Sequence, residues 1–411
     1  MTRPALLRFA LLAGCLFSTA IQAKEVQLFN DKGFWSAPLQ AVANAARTDG
    51  ISLKISPYVN AEQYKTFIQA SVASGRTPEL FTWWTGASLN TLAATGQLAP
   101  LDALWKEMEA DGRFQPGVKE LFSVGGQPYA VPLQLSRWVV LYDKRVFARL
   151  GLKPPSNWAE LQTVAARIKA AGQTPFLATT QDGWRGFIWF QELLLRTDPK
   201  AYVGLNNGSV AYDSPAVRKV FSIWADMYAK GWFSDPRSNE EINDFVRGKG
   251  VMYLFGDWAV GLLGKAGFPL QELGVFILPN APGVQQPAII VEGAPIVISR
   301  KGAANPDVMK TLRFWVSNQG AQTWGKASGN YIGNNKIAAP NAIVSQVNAQ
   351  LAQTRHAMFL RWWEGVPTAL QGEMVAEFNR FMLKPDMNTA QNVMQRMKSL
   401  NAAYWSKRKK S

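Results

Sequence analysis

The stretch VQLFNDKGFWSAPLQAVANAARTDGISLKI, residues 26–55, decides the fold class. Val26, Leu28 and Asn30 share one face of a short strand. Leu39, Val42, Ala43 and Ala46 then recur at three- and four-residue intervals, as one stripe of a helix does, and Ile51, Leu53 and Ile55 return to alternation. Strand, helix, strand implies a parallel sheet with right-handed crossovers. A second helix follows on Tyr64, Phe67, Ile68 and Val72, is broken by RTP at residues 76–78, and leads into a strand over residues 79–83. In such sheets ligands sit beyond the carboxyl ends of the strands. The motif WWTG, residues 83–86, stands at such an end, and because successive side chains of a strand alternate faces, one of its tryptophans enters a core and the other faces a cleft.

The pattern repeats farther along. Asn157 and Glu160 form a capping-box-like start for a helix carrying Leu161, Val164 and Ile168, which Gly172 ends. TPFLAT, residues 174–179, reads as a strand running into QDGW. A helix on Ile242, Phe245 and Val246 leads through RGKG to the strand VMYLF and then GDW, residues 256–258. Three times a strand ends in a tryptophan beside glycine and a polar group. There is no 20–50-residue repeat and no low-complexity linker, so short crossings, not a tether, join the domains.

A chain of 411 residues exceeds what one hydrophobic core organises, which predicts two domains. It opens with Arg3 and Arg8 before an apolar segment and a small residue, Ala23, ahead of Lys24, the order of a secretory signal peptide over residues 1–23. LAGC, residues 12–15, also matches the box before a lipid-modified cysteine, but the residues after Cys15 stay apolar instead of forming a polar tether. Cleavage after Ala23 is therefore the reading adopted, with a periplasmic location. It removes Cys15, the sole cysteine, so the mature protein has neither disulfide nor thiol nucleophile. No later run approaches the roughly 18 apolar residues of a membrane span. The formal charge of +15 loses Arg3 and Arg8, leaving +13. An exported protein so charged meets an anionic surface or acidic ligand before it meets nucleic acid.

Catalytic sets are scarce. His356 is the single histidine, read as an exposed or capping residue of a polar helix; it excludes multi-histidine metal sites and argues against a histidine-based triad. LLGKAG, residues 262–267, fails as a phosphate loop because Ala259 and Ala266 occupy the positions of the first glycine and the metal-binding hydroxyl. No dinucleotide fingerprint follows the first strand. Asp182, Asp257 and Glu292 remain as carboxylates that could act in pairs in glycoside hydrolysis.

The positive signal is aromatic. Of 16 tryptophans, Trp35, Trp83, Trp84, Trp184 and Trp258 stand at strand ends, joined by Trp138 in LSRWVV and by Trp362 and Trp363 in RWWEG. Sugar rings pack their C–H faces on flat aromatic surfaces while their hydroxyls require fixed donors and acceptors, so tryptophan beside Asp, Asn, Arg or Gln suits both. Each of these residues also has a core reading, and Asp257 has a second one as the cap of a helix beginning near Trp258.

At these residues the chain resembles the extracellular solute-binding proteins of carbohydrate ABC importers, the group that includes maltose-binding protein. The resemblance covers nearly the whole mature chain. It is most specific in AVPLQLSRWVVLYDKRVFARLGLKPPSNWAEL (residues 130–161) and GKGVMYLFGDWAVGLL (residues 248–263), with a looser match over residues 291–308. It implies an α/β, two-lobed periplasmic binding protein fold of type II, each lobe a mostly parallel sheet flanked by helices, with a ligand cleft at the interlobe hinge. The lobes would be residues 24–131 plus 292–333 and residues 132–291 plus 334–411. The function implied is capture of a sugar or oligosaccharide and delivery to an inner-membrane permease, by a monomer with no cofactor, metal or catalytic residue and no nucleic-acid partner. The resemblance carries ligand-binding roles to Trp83 or Trp84, Trp138, Trp184, Asp257, Trp258, Glu292 and Gly293, and the chain's own pattern adds Trp35, Arg137, Asp182, Trp362 and Trp363 to the expected ligand-binding set. Arg137 and the net charge also allow a glycerol-phosphate or other anionic ligand.

Overall fold

The computed structural model describes residues 25–408. The expected signal segment, Cys15 and the end of the basic tail lie outside them. Strands β1 (Val26–Asn30), β2 (Leu53–Pro57) and β3 (Leu80–Thr82) pair in parallel in the order β2-β1-β3. The helix Ser36–Ala46 buries the stripe Leu39, Val42, Ala43 and Ala46 read from the sequence. The helix Ala61–Ala73 is capped by Asn60, whose side chain accepts from the Gln63 amide at 2.9 Å. Its Tyr64 is buried, and the hydroxyl donates to the Thr82 carbonyl at 2.7 Å, so the hydrogen bond that a buried phenol requires is made at the end of β3.

A short hairpin, β4 (Ser123–Val124) with β5 (Gln127–Pro128), precedes β6 (Ala130–Asp143), fourteen residues buried on both faces. Central strands read as continuous apolar runs for this reason. β6 pairs antiparallel with β9 (Ala288–Ile298) from Ala130↔Val297 to Arg137↔Val291. Beyond that point β6 pairs with β7 (Met252–Gly256) and β8 (Leu273–Phe276), while the opposite end of β9 pairs with β3 and its beginning with β10 (Ala357–Leu360). The sheet therefore has two halves, and β6 and β9 belong to both. A third segment accompanies them, since the Leu135 amide donates to the Tyr331 carbonyl at 2.7 Å. Pro132 and Pro295 face each other across the β6–β9 ladder, and the register shifts between Pro132 and Gln134. Neither proline has an N–H to give, so the ladder is interrupted where the strands pass from one half to the other.

The strand sense departs from the expectation in the second half, where every pair along β6 is antiparallel because the two crossing strands run in opposite directions. Residues 174–179 form no extended strand; Phe176 alone bridges to Phe233 and Met252. His356 is not in a helix but follows Gln353, the end of the helix Ala342–Gln353, and lies just before β10; partial burial lowers its pKa. The capping box forms with one displacement. Asn157 accepts from the Glu160 amide, and the Glu160 carboxylate reaches back to Ser156. None of the helices among the described residues is long and apolar enough to cross a membrane.

The helix Phe187–Thr197 is anchored to the crossing by a buried charge pair. Arg196 donates to the Glu192 carboxylate through Nε (3.0 Å) and Nη2 (2.7 Å) and to the Ala288 carbonyl, the first residue of β9, at 2.6 Å. Burial raises the Glu192 pKa against the pull of Arg196. Arg196→Met would strand that carboxylate and is expected to cost about 3–5 kcal/mol at neutral pH. The deficit should shrink as pH falls, because protonation neutralises the stranded group. Urea unfolding at two pH values checks both signs.

Candidate ligand cleft

The β6–β9 register places Glu292 opposite Ser136 and Gly293 opposite Leu135, at the passage between the halves. Around Glu292 a relay of charges and rings is built from three separate segments. Trp258, two residues past the end of β7, donates its indole Nε1–H to Glu292 Oε2 at 3.1 Å. Arg361 emerges from the end of β10, where its amide donates to the Val291 carbonyl, and its guanidinium pairs with the same carboxylate at 3.1 Å. Arg361 also donates to Glu364 through Nε at 2.8 Å and lies 5.7 Å over the Trp138 ring. Burial works against the guanidinium's charge, but Glu292 and Glu364 outweigh it and raise its pKa. Glu292 stays partly exposed, with 18% of its side chain accessible, so this fixed carboxylate can meet an incoming donor.

Half-buried tryptophans extend outward from this point, linked through the buried rings of Phe255 and Phe187. Phe255 stands edge-on to Trp258 at 4.9 Å and 5.9 Å from Trp184. Phe187 follows at 6.0 Å from Trp184 and 5.9 Å from Trp363. The Arg185 guanidinium covers one face of Trp184 at 4.3 Å and is itself held by Glu241 through Nε at 2.6 Å and by Asp182 at 3.0 Å. That stacking fixes the ring's plane. The first half joins through the loop after β3. Thr85 approaches the Gly293 carbonyl at 3.4 Å, and a Cβ on Gly86, whose φ is +63°, would collide with the Glu364 carbonyl. On this loop Trp84 remains partly exposed, with Lys32 Nζ 5.5 Å from its ring centroid; Lys32 pairs with Asp31, which accepts from Thr82 Oγ1 at 2.7 Å.

Of the thirteen expected ligand residues, seven are accessible: Trp35, Trp84, Asp182, Trp184, Trp258, Glu292 and Trp363. Trp35 is held edge-on by Trp324 at 5.4 Å, and Asp182 has the sole positive φ among the described non-glycine residues. The other six are corrections. Trp138 and Trp362 are fully buried, the first against Phe255 and the second stacked on Phe187 with its Nε1–H on the Tyr212 hydroxyl at 2.9 Å. Trp83 is buried with Nε1–H on the Ser88 carbonyl at 3.1 Å. Arg137 and Asp257 are sealed against each other. Arg137 Nε donates to Asp257 Oδ2 at 2.7 Å, its amide to Oδ1 at 3.2 Å, and its Nη1 to Asn348 at 2.8 Å. Burial raises the Asp257 pKa although Arg137 opposes it. Nor does Asp257 cap the next helix, whose cap position is Trp258 with no side-chain bond. Gly293 is a buried spacer; a Cβ there would meet the Phe122 ring at 3.0 Å and Thr85 at 3.1 Å.

Sequence reading missed Lys32, which lies over Trp84 and pairs with the buried Asp31, and Arg361, which holds Glu292; Phe187 and Phe255 are buried rings on which the accessible tryptophans rest. The NDKG turn after the first strand and the arginine of RWWEG carried the available signal, but neither showed that Arg361 and Glu292 would meet.

The chain matches the model of the bacterial extracellular solute-binding protein family over residues 40–352. It is 27% identical over 182 residues to the osmoprotective compounds-binding protein GgtB of Synechocystis, covering 43% of this chain and 42% of that protein. It is 24% identical over 294 residues to the multiple sugar-binding protein of Streptococcus mutans, covering 66% of each. The sn-glycerol-3-phosphate-binding periplasmic protein UgpB of Escherichia coli (strain K12) is 24% identical over 319 residues, 71% of this chain and 70% of that one. The chain thus spans less than two thirds of the length of the first two relatives. Among solved structures, the bacterial solute receptor AcbH superposes with a TM-score of 0.79 at 20% identity, covering 92% of this chain and 99% of the other. With its two-halved sheet and crossing strands, this chain has the type II solute-binding fold and belongs to the bacterial extracellular solute-binding protein family.

Proposed function

We propose that this chain is the substrate-binding component of an ABC importer, capturing a sugar or oligosaccharide outside the inner membrane and delivering it to a permease. Residues 24–131 plus 292–333 form one lobe and residues 132–291 plus 334–411 the other. The protein acts as a periplasmic monomer after removal of residues 1–23. Lobe closure couples capture to delivery, since a permease distinguishes loaded from empty protein only if ligand binds the two states with different affinity.

The observation that carries this reading is Trp258, held by its indole N–H on the carboxylate oxygen that Arg361 also engages. An indole face with an anchored acceptor at its edge suits a pyranose, whose C–H face stacks and whose hydroxyls donate. Trp84, Trp184 and Trp363 supply further partly exposed ring surface. The names of the sugar-binding relative and of the galactopyranose-preferring receptor support the same ligand class. The UgpB relative favours a phosphorylated ligand instead, but Arg137, the residue expected to receive an anion, is spent on Asp257. The same pairing occupies both oxygens of Asp257, one of the carboxylates a glycosidase would need, which supports binding without turnover.

Calorimetric titration and product analysis over a sugar panel test this reading, with saturable binding and unchanged sugar as the expected result. Trp258→Ala should weaken binding about thirtyfold, roughly 2 kcal/mol, whereas Trp362→Ala should open a core cavity and cost about 3–5 kcal/mol of stability. Equal affinity in Trp258→Ala would remove the proposed site. Arg137→Met should leave Asp257 buried and unpaired and cost about 3–5 kcal/mol in urea unfolding. An arginine kept free for an incoming anion would cost far less.

A further inference from the structure

We infer a second small-molecule site, separate from the cleft, in the cavity between the helices Ala61–Ala73 and Ala87–Ala93 and the carboxy-terminal helix Met387–Arg408. The cavity measures about 710 Å³, within the range of roughly 300–1,000 Å³ that small-molecule sites occupy. It is walled from both halves of the protein. Ser88 and Thr368 hydroxyls approach to 3.4 Å across it, and Trp83 and Trp405 contribute indoles from the two sides. The relation to the cleft explains the tryptophan pair: Trp84 lies under Lys32, and Trp83 lines this second space.

The lining specifies the chemistry of the occupant. Trp83 Nε1–H is committed to the Ser88 carbonyl and Trp405 Nε1–H to Asn401 at 3.0 Å, so both indoles have only apolar ring surface to offer. Val72 and Leu92 extend that surface. Asn206 also lines this space; its side chain packs against Gly365, and its buried Oδ1 accepts no hydrogen bond from the described residues. A buried acceptor left without a donor is costly, and a ligand hydroxyl would relieve it. Among the described residues no Asp or Glu lines the space and Lys65 is the one cation, which leaves a cationic ligand or metal ion without counter-charge and an anion with a single one. An uncharged amphipathic glycoside, with an apolar aglycone against the indoles and sugar hydroxyls toward Asn206, meets all of these conditions.

The probe is 4-nitrophenyl β-D-glucopyranoside, titrated into the mature protein and into three variants, with binding followed by calorimetry and by saturation-transfer NMR. Thr91→Trp fills the cavity from an exposed helix position, and Trp405→Ala removes one wall; each should raise the probe's Kd at least about tenfold, while Trp258→Ala in the cleft retains cavity binding. Because Trp405 also packs over Gly208, melting temperatures are measured for every variant, and Thr91→Trp decides the matter if Trp405→Ala is unstable. Unchanged probe affinity in a folded Thr91→Trp, loss of all binding in Trp258→Ala alone, or no saturable binding at all would each overturn the inference. Failure of the cleft reading is distinguishable, since it leaves Thr91→Trp-sensitive probe binding in place.

Discussion

The antiparallel pairing of β6 with β9 is the constraint from which the rest of the molecule follows. Both strands are buried along nearly their whole length, and both run through the two halves of the sheet. Any group carried near the middle of this pair is automatically at the boundary between halves. Glu292 occupies that place, and the segments ending in Trp258 and Arg361 reach it because β7 pairs with β6 and β10 pairs with β9. The opposed Pro132 and Pro295 thin the ladder at the passage, so covalent continuity is kept while backbone hydrogen bonding is locally weakest. A binding protein needs that combination: two rigid bodies, and a short connection between them that costs little to bend.

Charge is used at this boundary in an unusual concentration for a buried region. Arg137 with Asp257, Arg361 with Glu292 and Glu364, and Arg196 with Glu192 all lie on or beside the crossing strands. Taking such groups out of water costs several kcal/mol each, and hydrophobic replacements of similar volume often serve stability as well or better. Their value here is geometric. A guanidinium offers fixed donors in a plane, so Arg361 holds the carboxylate of Glu292 in one orientation before any ligand arrives. A site organised in advance loses less conformational freedom on binding.

Aromatic residues serve three purposes that composition alone does not separate. Trp138, Trp224, Trp324 and Trp362 fill cores. Trp84, Trp184, Trp258 and Trp363 stand partly exposed near the passage between halves. Trp83 and Trp405 bound a cavity to one side. The adjacent pair at 83 and 84, just past the end of β3, is divided: Trp83 is buried beside that cavity and Trp84 is partly exposed.

The local pattern of the chain was sufficient for the α/β class and for the first three strands and their helices, because periodicity and capping act over a few residues. Trp258 and Trp84 were legible in this way as rings just past strand ends, whereas the strand read before Trp184 does not form. The partnerships were not. Whether Asp257 faces a ligand or Arg137 depends on a contact across 120 positions, and whether Trp362 or its neighbour Trp363 is accessible depends on Tyr212 and Phe187, both far away in the chain. A charged or aromatic residue at a strand end announces that something must pair with it or cover it. Only the tertiary structure decides what does, because pairing and burial are set by the crossing of distant segments and not by the residues on either side.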